Sequence, residues 1–140
     1  MFDAKSIRPV ALGVAIRDGK LLVMEGFDEK KGTHFYRCLG GGIEYGEKSD
    51  EALRREFMEE ISLDIKINDF LGVDENIFTY NGKLGHELVF LYDIDIADKD
   101  YKEEYPMIEN GKTGTAVWID VEDFKKREKL LYPYIMYKFL

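Results

Sequence analysis

Glu56, Glu59 and Glu60 stand at i, i+3 and i+4 behind the turn Gly40-Gly41-Gly42-Ile43-Glu44-Tyr45-Gly46-Glu47, and those residue types in that order read as a divalent metal site. On a helix, residues three and four apart share a face, so the three carboxylates project toward one point. Like charges at that spacing cost an isolated helix roughly 0.2–0.5 kcal/mol per pair, and a hard cation relieves the crowding. Magnesium takes oxygen ligands, keeps several waters and usually binds through a few carboxylates together with substrate phosphates. The glycines ahead of the helix allow positive φ and close approach of backbone to a ligand, which suits a loop that handles phosphate oxygens or metal.

The elements that must position these groups are also written in the chain. Leu53, Phe57 and Ile61 recur every four residues, with Ala52 and Met58 beside them, and give the opposite face of the helix to a core. Ser49 is the expected N-cap, and Asp50 and Glu51 in the first turn favour the positive end of the helix dipole. Residues 9–16 are almost continuously apolar, as in a strand covered on both faces, and residues 20–27 are expected to return beside them through the Asp18-Gly19 turn. Residues 75–80 and 86–96 form a second expected hairpin through Asn81-Gly82, a strong turn dipeptide. In its second arm Leu88, Phe90, Tyr92, Ile94 and Ile96 alternate with more polar neighbours and mark the expected buried face. Residues 115–119, around Trp118, read as a late strand and 121–129 as a helix, with Pro133 interrupting before an aromatic tail. Strands dominate, and no linker, internal repeat or low-complexity tract divides the chain.

Composition bounds the function classes. The chain has 140 residues, enough for one core, and its 45% apolar and 34% charged content is that of an ordinary soluble domain. No stretch is long and apolar enough to cross a bilayer, and residues 1–5 lack the pattern of a signal peptide. Cys38 is the single cysteine, which fits a reducing cytoplasm and a small apolar role in a strand. The net charge of −8, from 28 acidic and 20 basic residues, argues against a nucleic-acid backbone as partner. It favours metal dependence for any phosphorylated substrate, because divalent ions can bridge carboxylates to phosphate oxygens.

Residues 41–63 resemble the Nudix box of the Nudix hydrolase superfamily, G-x5-E-x7-R-E-U-x-E-E-x-G-U, where U is a bulky aliphatic residue. Gly41 matches the first glycine, Glu47 the first glutamate, Arg55-Glu56 the RE pair, Glu59-Glu60 the EE pair and Leu63 the last hydrophobe. Two positions depart: Ser62 replaces the final glycine, and Phe57 is aromatic where the pattern is aliphatic. Just before the box, Leu39 stands where many relatives have proline. The family glycine follows the helix in a left-handed conformation, which costs a residue with a Cβ roughly 1–2 kcal/mol.

The resemblance implies one α/β domain over residues 1–140, an α/β/α sandwich around a mixed β-sheet. It also implies Mg2+-dependent hydrolysis of a nucleoside diphosphate linked to another group, with Mn2+ as a substitute. By the same resemblance Glu56, Glu59 and Glu60 bind metal, the general base is Glu56 or Glu60, and the carbonyl of Gly40 is a further ligand. The family often adds an acid from a later loop, and by order in the chain Glu109 is the best placed, with Glu103 and Glu104 behind it. Arg55 holds a glutamate in place through a charged hydrogen bond, with Glu47 as its partner. Arg37, three residues before Gly40, is either a substrate-phosphate contact or a flank of its strand. Glu87 faces the site or solvent; Trp118, His34 and His86 are assigned to core, structure or surface. ADP-ribose hydrolases of the family often carry a proline past the box, and dinucleoside polyphosphate hydrolases a tyrosine slightly further. This chain has no proline between Pro9 and Pro106 but has Tyr80, 17 residues after Leu63. That favours a nucleoside triphosphate or dinucleoside polyphosphate over a nucleotide sugar. The alternatives are a nucleotide-sugar pyrophosphatase and a domain that binds nucleotides without turnover, and the intact box carboxylates count against the latter. Homodimers are common in the family, and the apolar run Tyr134-Ile135-Met136-Tyr137 offers a surface for one.

Overall fold

The computed structural model describes residues 6–109 and 111–140. Its strands are β1 (Ile7–Val14), β2 (Ile16–Arg17), β3 (Lys20–Asp28), β4 (Thr33–Cys38), β5 (Gly40–Gly42), β6 (Lys66–Tyr80), β7 (Lys83–Asp95), β8 (Glu104–Glu109), β9 (Lys112–Asp120) and β10 (Leu131–Tyr132). The helices are α1 (Ser49–Ile61) and α2 (Val121–Lys125), with 3-10 turns at Asp98–Asp100 and Tyr134–Phe139. The architecture is α/β, as expected, but the strands divide into two mixed sheets. One runs β5-β1-β7-β6 with β1 and β7 parallel; the other runs β10-β4-β3-β9-β8, with β2 also on β3.

That division corrects the first hairpin. The Asp18-Gly19 turn exists, with φ of 52° and 76°, but joins only the two residues of β2 to β3. The body of β1 leaves for the other sheet, between β5 and β7, so its apolar run is covered on both faces: Val10, Ala11 and Leu12 are all buried. The second hairpin forms as expected, with Asn81 and Gly82 both left-handed and strands longer than the periodicity marked. Its buried face is the reverse of the expected one. Glu87, Val89 and Leu91 are buried, whereas Leu88, Phe90 and Tyr92 are half-buried, and the parity switches only at Ile94 and Ile96. Both faces of β7 are covered, so alternation along it is a weak guide to depth.

Helix α1 packs Leu53, Phe57 and Ile61 against Ala11, Leu39 and Ile94 in the first of two cores. Phe57 is fully buried, and Gly13 makes room for it: a Cβ there would stand 3.2 Å from the ring. Met58 turns outward, half exposed, because it follows Phe57 by 100° around the helix. The N-cap is Lys48, one residue earlier than expected; its N–H donates to the Glu51 carboxylate at 2.9 Å. Ser49 lies inside the helix, and its hydroxyl pairs with that of Tyr92 at 2.6 Å. Helix α2 is shorter than the expected 121–129 and closes into a left-handed Arg127. It seats Phe124 in the second core with Val10, Leu21 and Met136. The tail run is folded on its own chain through fully buried Met136, leaving Tyr134 exposed.

Ser62 caps α1 in the left-handed region, φ 58° and ψ 36°, with its N–H donating to the Met58 carbonyl at 3.1 Å. The serine keeps the turn the family glycine would make, at a steric cost. Ser62→Gly should stabilise the fold by about 1 kcal/mol, read as a higher urea midpoint with unchanged slope; a lower midpoint would show that the serine is not strained.

Candidate functional site

The glycine turn is a strand edge pressed onto α1. β5 pairs antiparallel with β1, Leu12 opposite Gly40 and Val10 opposite Gly42. Gly40 has φ 145°, and a Cβ on it would fall 1.9 Å from the Ala11 carbonyl oxygen, so only glycine fits. A Cβ on Gly41 would stand 2.4 Å from the carboxyl carbon of Glu56. Because the obstacle is the end of a flexible side chain, Gly41→Ala should fold normally yet displace that carboxylate. Turnover is expected to fall about tenfold to a hundredfold with an unchanged melting temperature; full activity would show that the position of Glu56 does not matter.

Arg55 organises the acidic groups beneath this turn. Its Nε and Nη2 grip both oxygens of Glu47 at 2.8 and 2.9 Å, and Nη2 also donates to the Gly42 carbonyl at 2.8 Å. Its Nη1 reaches Glu56 at 3.0 Å and Glu59 at 3.3 Å. The guanidinium holds the Glu47 carboxyl down to about pKa 2, despite some opposing desolvation. The four carboxylate contacts, Glu44 at 3.6 Å included, are why a helix so acidic can carry this face.

Glu60 has no such counter-charge. It is buried, and its Oε1 has no hydrogen-bond partner among the described residues. Desolvation, the Glu109 carboxyl against it and then the charge of Glu56 push its pKa well above the ordinary glutamate value, with only the Gly40 N–H pulling the other way. Glu56, half-buried, is also raised, chiefly by desolvation, although Arg55 opposes this. Two acids with elevated pKa values thus sit side by side against a glycine strand, a pattern typical of a functional cleft.

The NUDIX domain matches residues 7–139. The chain belongs to the NUDIX domain family. As a Nudix enzyme it is a pyrophosphohydrolase, acting on nucleoside diphosphate-linked substrates. A NUDIX hydrolase from Nitrosomonas europaea superposes with a TM-score of 0.66 at 18% identity, over 95% of this chain and 85% of its own. The dihydroneopterin triphosphate pyrophosphohydrolase of E. coli gives 0.65 at 16% identity, over 94% and 92%. A MutT NUDIX hydrolase from Burkholderia pseudomallei gives 0.62 at 20%, over 84% and 86%. At such identities these structures speak for the fold alone. No curated protein matches the sequence.

The Nudix fold brings Gly40, Glu56, Glu60 and Glu109 together, although Glu109 follows Glu60 by 49 residues. β8 carries it there, along a strand that packs beside α1. Glu59 lies further out, 59% exposed and leaning on Arg55. Among the described residues no three acid, histidine or cysteine side chains converge closely enough to form a finished metal cage; Arg55 holds Glu56 and Glu59 to one side of Glu60. Arg37 donates to Glu87 at 3.2 Å, and Glu87 is buried, which answers where that residue faces. Arg8, absent from the sequence reading, also reaches Glu87, at 3.8 Å, and its charge bears on Glu56. Glu87 shares its face of β7 with buried Val89 and Leu91, a placement that alternation along a strand covered on both faces does not reveal. Trp118 is half-buried against the first core, with its Nε1 donating to the Lys102 carbonyl at 2.9 Å, and His34 is exposed. Cys38 is buried and its thiol is pushed up to about 12, as befits a strand residue without chemistry.

Proposed function

We propose that this enzyme is a Mg2+-dependent pyrophosphohydrolase of nucleotides, acting on a nucleoside triphosphate or a dinucleoside polyphosphate, with Mn2+ as a working substitute. The observation that carries the reading is Glu60: a buried carboxylate with an orphaned oxygen, set against a second carboxylate and a third nearby. A protein core does not retain such a group without compensation, and a hard divalent cation compensates with oxygen ligands alone. The donor set fits that cation. Glu56, Glu59, Glu60, Glu109 and the Gly40 carbonyl would hold it once Glu59 moves off Arg55. Bound there, it would neutralise phosphate charge and acidify a water.

The chain's own residues do the rest. Glu56 or Glu60 takes the proton of the attacking water, and burial raises both toward the pKa at which a carboxylate is an effective base. Arg55, clamped by Glu47, fixes the aim of Glu56 and the carbonyl of Gly42. Gly41 lets the turn lie against that carboxylate. Arg37 is a substrate contact in the same reading.

The family's reaction calls for a small nucleotide as partner. The net charge of −8 supports the exclusion of nucleic acid. No helix among the described residues is long and apolar enough to cross a membrane, and a cytoplasmic setting suits the unpaired Cys38. One domain spanning residues 1–140 belongs to the same proposal. Sedimentation velocity decides the homodimer: a species of one chain's mass at all concentrations removes it.

Product chromatography tests the function. Purified protein with Mg2+ is incubated with nucleoside triphosphates, dinucleoside polyphosphates, ADP-ribose and other nucleotide sugars. Release of a nucleoside monophosphate from a triphosphate or dinucleoside polyphosphate, abolished by chelator, is expected. Cleavage confined to nucleotide sugars would overturn the substrate assignment, and silence across the panel would favour a domain that binds without turnover.

A further inference from the structure

The arginines around Glu87 extend the site beyond the acidic cluster. Glu87 lies on β7, directly opposite Arg8 of the parallel strand β1, while Arg37 comes from β4 of the other sheet. The carboxylate is 2% exposed, whereas the two guanidinium side chains keep 28% and 23% exposure, so the cluster has a buried acidic root and an open basic rim. Arg37 Nη2 straddles both Glu87 oxygens at 3.2 and 3.4 Å. Arg8 sits at 3.8 Å and makes no hydrogen bond among the described residues, which leaves its fork of donors available.

Two strands of different sheets thus converge on one carboxylate. Two guanidiniums against one carboxylate leave a net positive charge in a chain that carries −8 overall. Its place is fixed by Gly42. The Arg8 Nη2 lies 3.0 Å from where a Cβ of Gly42 would be, and the carbonyl of the same residue accepts from Arg55 at 2.8 Å. Gly42 therefore lies between Arg55, which holds the acidic cluster, and Arg8 of the basic pair. A phosphate chain lying across the glycine strand would pass from the first to the second, and the cluster suits a terminal phosphate because that group carries the most charge.

We propose that Arg8 and Arg37, held together by buried Glu87, form a clamp for the terminal phosphate of a nucleoside triphosphate, making a free terminal phosphate the feature this enzyme selects. Arg8 and Arg37 touch substrate in this account, and Glu87 is a positioning residue. The proposal rests on the phosphohydrolase reading for its substrate but not for its binding test.

The test is calorimetry with a methylene-bridged, non-hydrolysable nucleoside triphosphate and with the matching nucleoside monophosphate, both with Mg2+, on wild type, Arg8→Ala, Arg8→Lys and Arg37→Ala. Each alanine variant should weaken triphosphate binding at least tenfold and change monophosphate binding less than twofold, with Arg8→Lys recovering part of the loss. Thermal melts confirm that the variants fold. Equal weakening of both ligands, or a change below twofold for the triphosphate, overturns the clamp. Steady-state kinetics on the cleaved triphosphate should show the loss mainly in KM. A normal calorimetric pattern in a protein that cleaves nothing would sink the reaction and leave the clamp; turnover with an unmoved KM in both alanine variants would sink the clamp alone.

Discussion

Glu60→Gln should abolish turnover while raising the melting temperature of the metal-free protein. The two effects have one origin. A positioned general base or metal-holding carboxylate is worth about 10²–10⁴ in rate, so loss of at least a hundredfold in kcat is expected whichever role Glu60 has. Its cost in the fold has the opposite sign. The carboxyl is buried beside Glu109, and its folded pKa is raised by desolvation and by that neighbour. An acid whose pKa is higher folded than unfolded contributes its full stability below the unfolded value. That contribution is lost as pH rises from the ordinary glutamate value, 4.5, toward the folded one. At pH 8 the wild type bears this penalty, whereas glutamine is neutral and its amide can donate to Glu109. The variant should therefore melt higher by about 3–5 °C for each kcal/mol recovered, and the gap should close near pH 4.5. Saturating Mg2+ should narrow it from the other side, because a ligand that binds only the native state stabilises the wild type. A variant less stable than wild type at pH 8 without metal would contradict the burden assigned to Glu60.

Arg55→Lys, a change that keeps the charge, should cost about as much activity as Arg55→Ala. The guanidinium makes two parallel bonds to Glu47 and, from its other atoms, holds the Gly42 carbonyl, Glu56 and Glu59. A lysine ammonium is a single point with no fork and cannot meet these partners together. With Glu56 no longer aimed, turnover should fall about a hundredfold. Stability should fall by about 1.5–3 kcal/mol, the range for hydrogen bonds to charged groups. The pH profile identifies the cause. Glu47 has a folded pKa depressed to about 2, so its contribution is present above the ordinary glutamate value and is lost as pH falls toward 2. Both variants should lose less stability on acidification than wild type does. Retention of activity in Arg55→Lys would show that charge alone suffices and that the bidentate geometry is incidental.

Local signals carried the site further than they carried the sheets. The Gly40-to-Glu60 segment is contiguous, so its glycine turn and its acidic helix face were legible from spacing, whereas the part of Arg55 came from the resemblance to the Nudix box. What serine does in place of the box glycine was left open by the sequence; Ser62 takes the left-handed conformation the glycine would. Asn81-Gly82 fixed one hairpin because the dipeptide favours a turn whose twist matches its strands. Asp18-Gly19 made an equally good turn, yet it joins β2, two residues long, to β3, since pairing of β1 with β7 depends on chain 79 residues away that no local pattern encodes. The inverted face of β7 has a related cause. Apolar residues cover both of its faces, so parity could not tell depth, and Glu87 was left undecided for the same reason. Glu109 was found by order in the chain, whereas Arg8 was hidden in an apolar strand. Its role comes from a sheet-to-sheet meeting at Glu87 that exists only in three dimensions.

Turnover in ¹⁸O-labelled water, followed by mass spectrometry of the phosphorylated products, tests the central claim most directly. With Mg2+ and a nucleoside triphosphate, one labelled oxygen should enter a phosphate product for each bond cleaved, and both label and product should disappear in chelator and in Glu60→Gln. Products without label, or labelled products formed at an undiminished rate in chelator, would contradict hydrolysis by water at a metal-dependent carboxylate site.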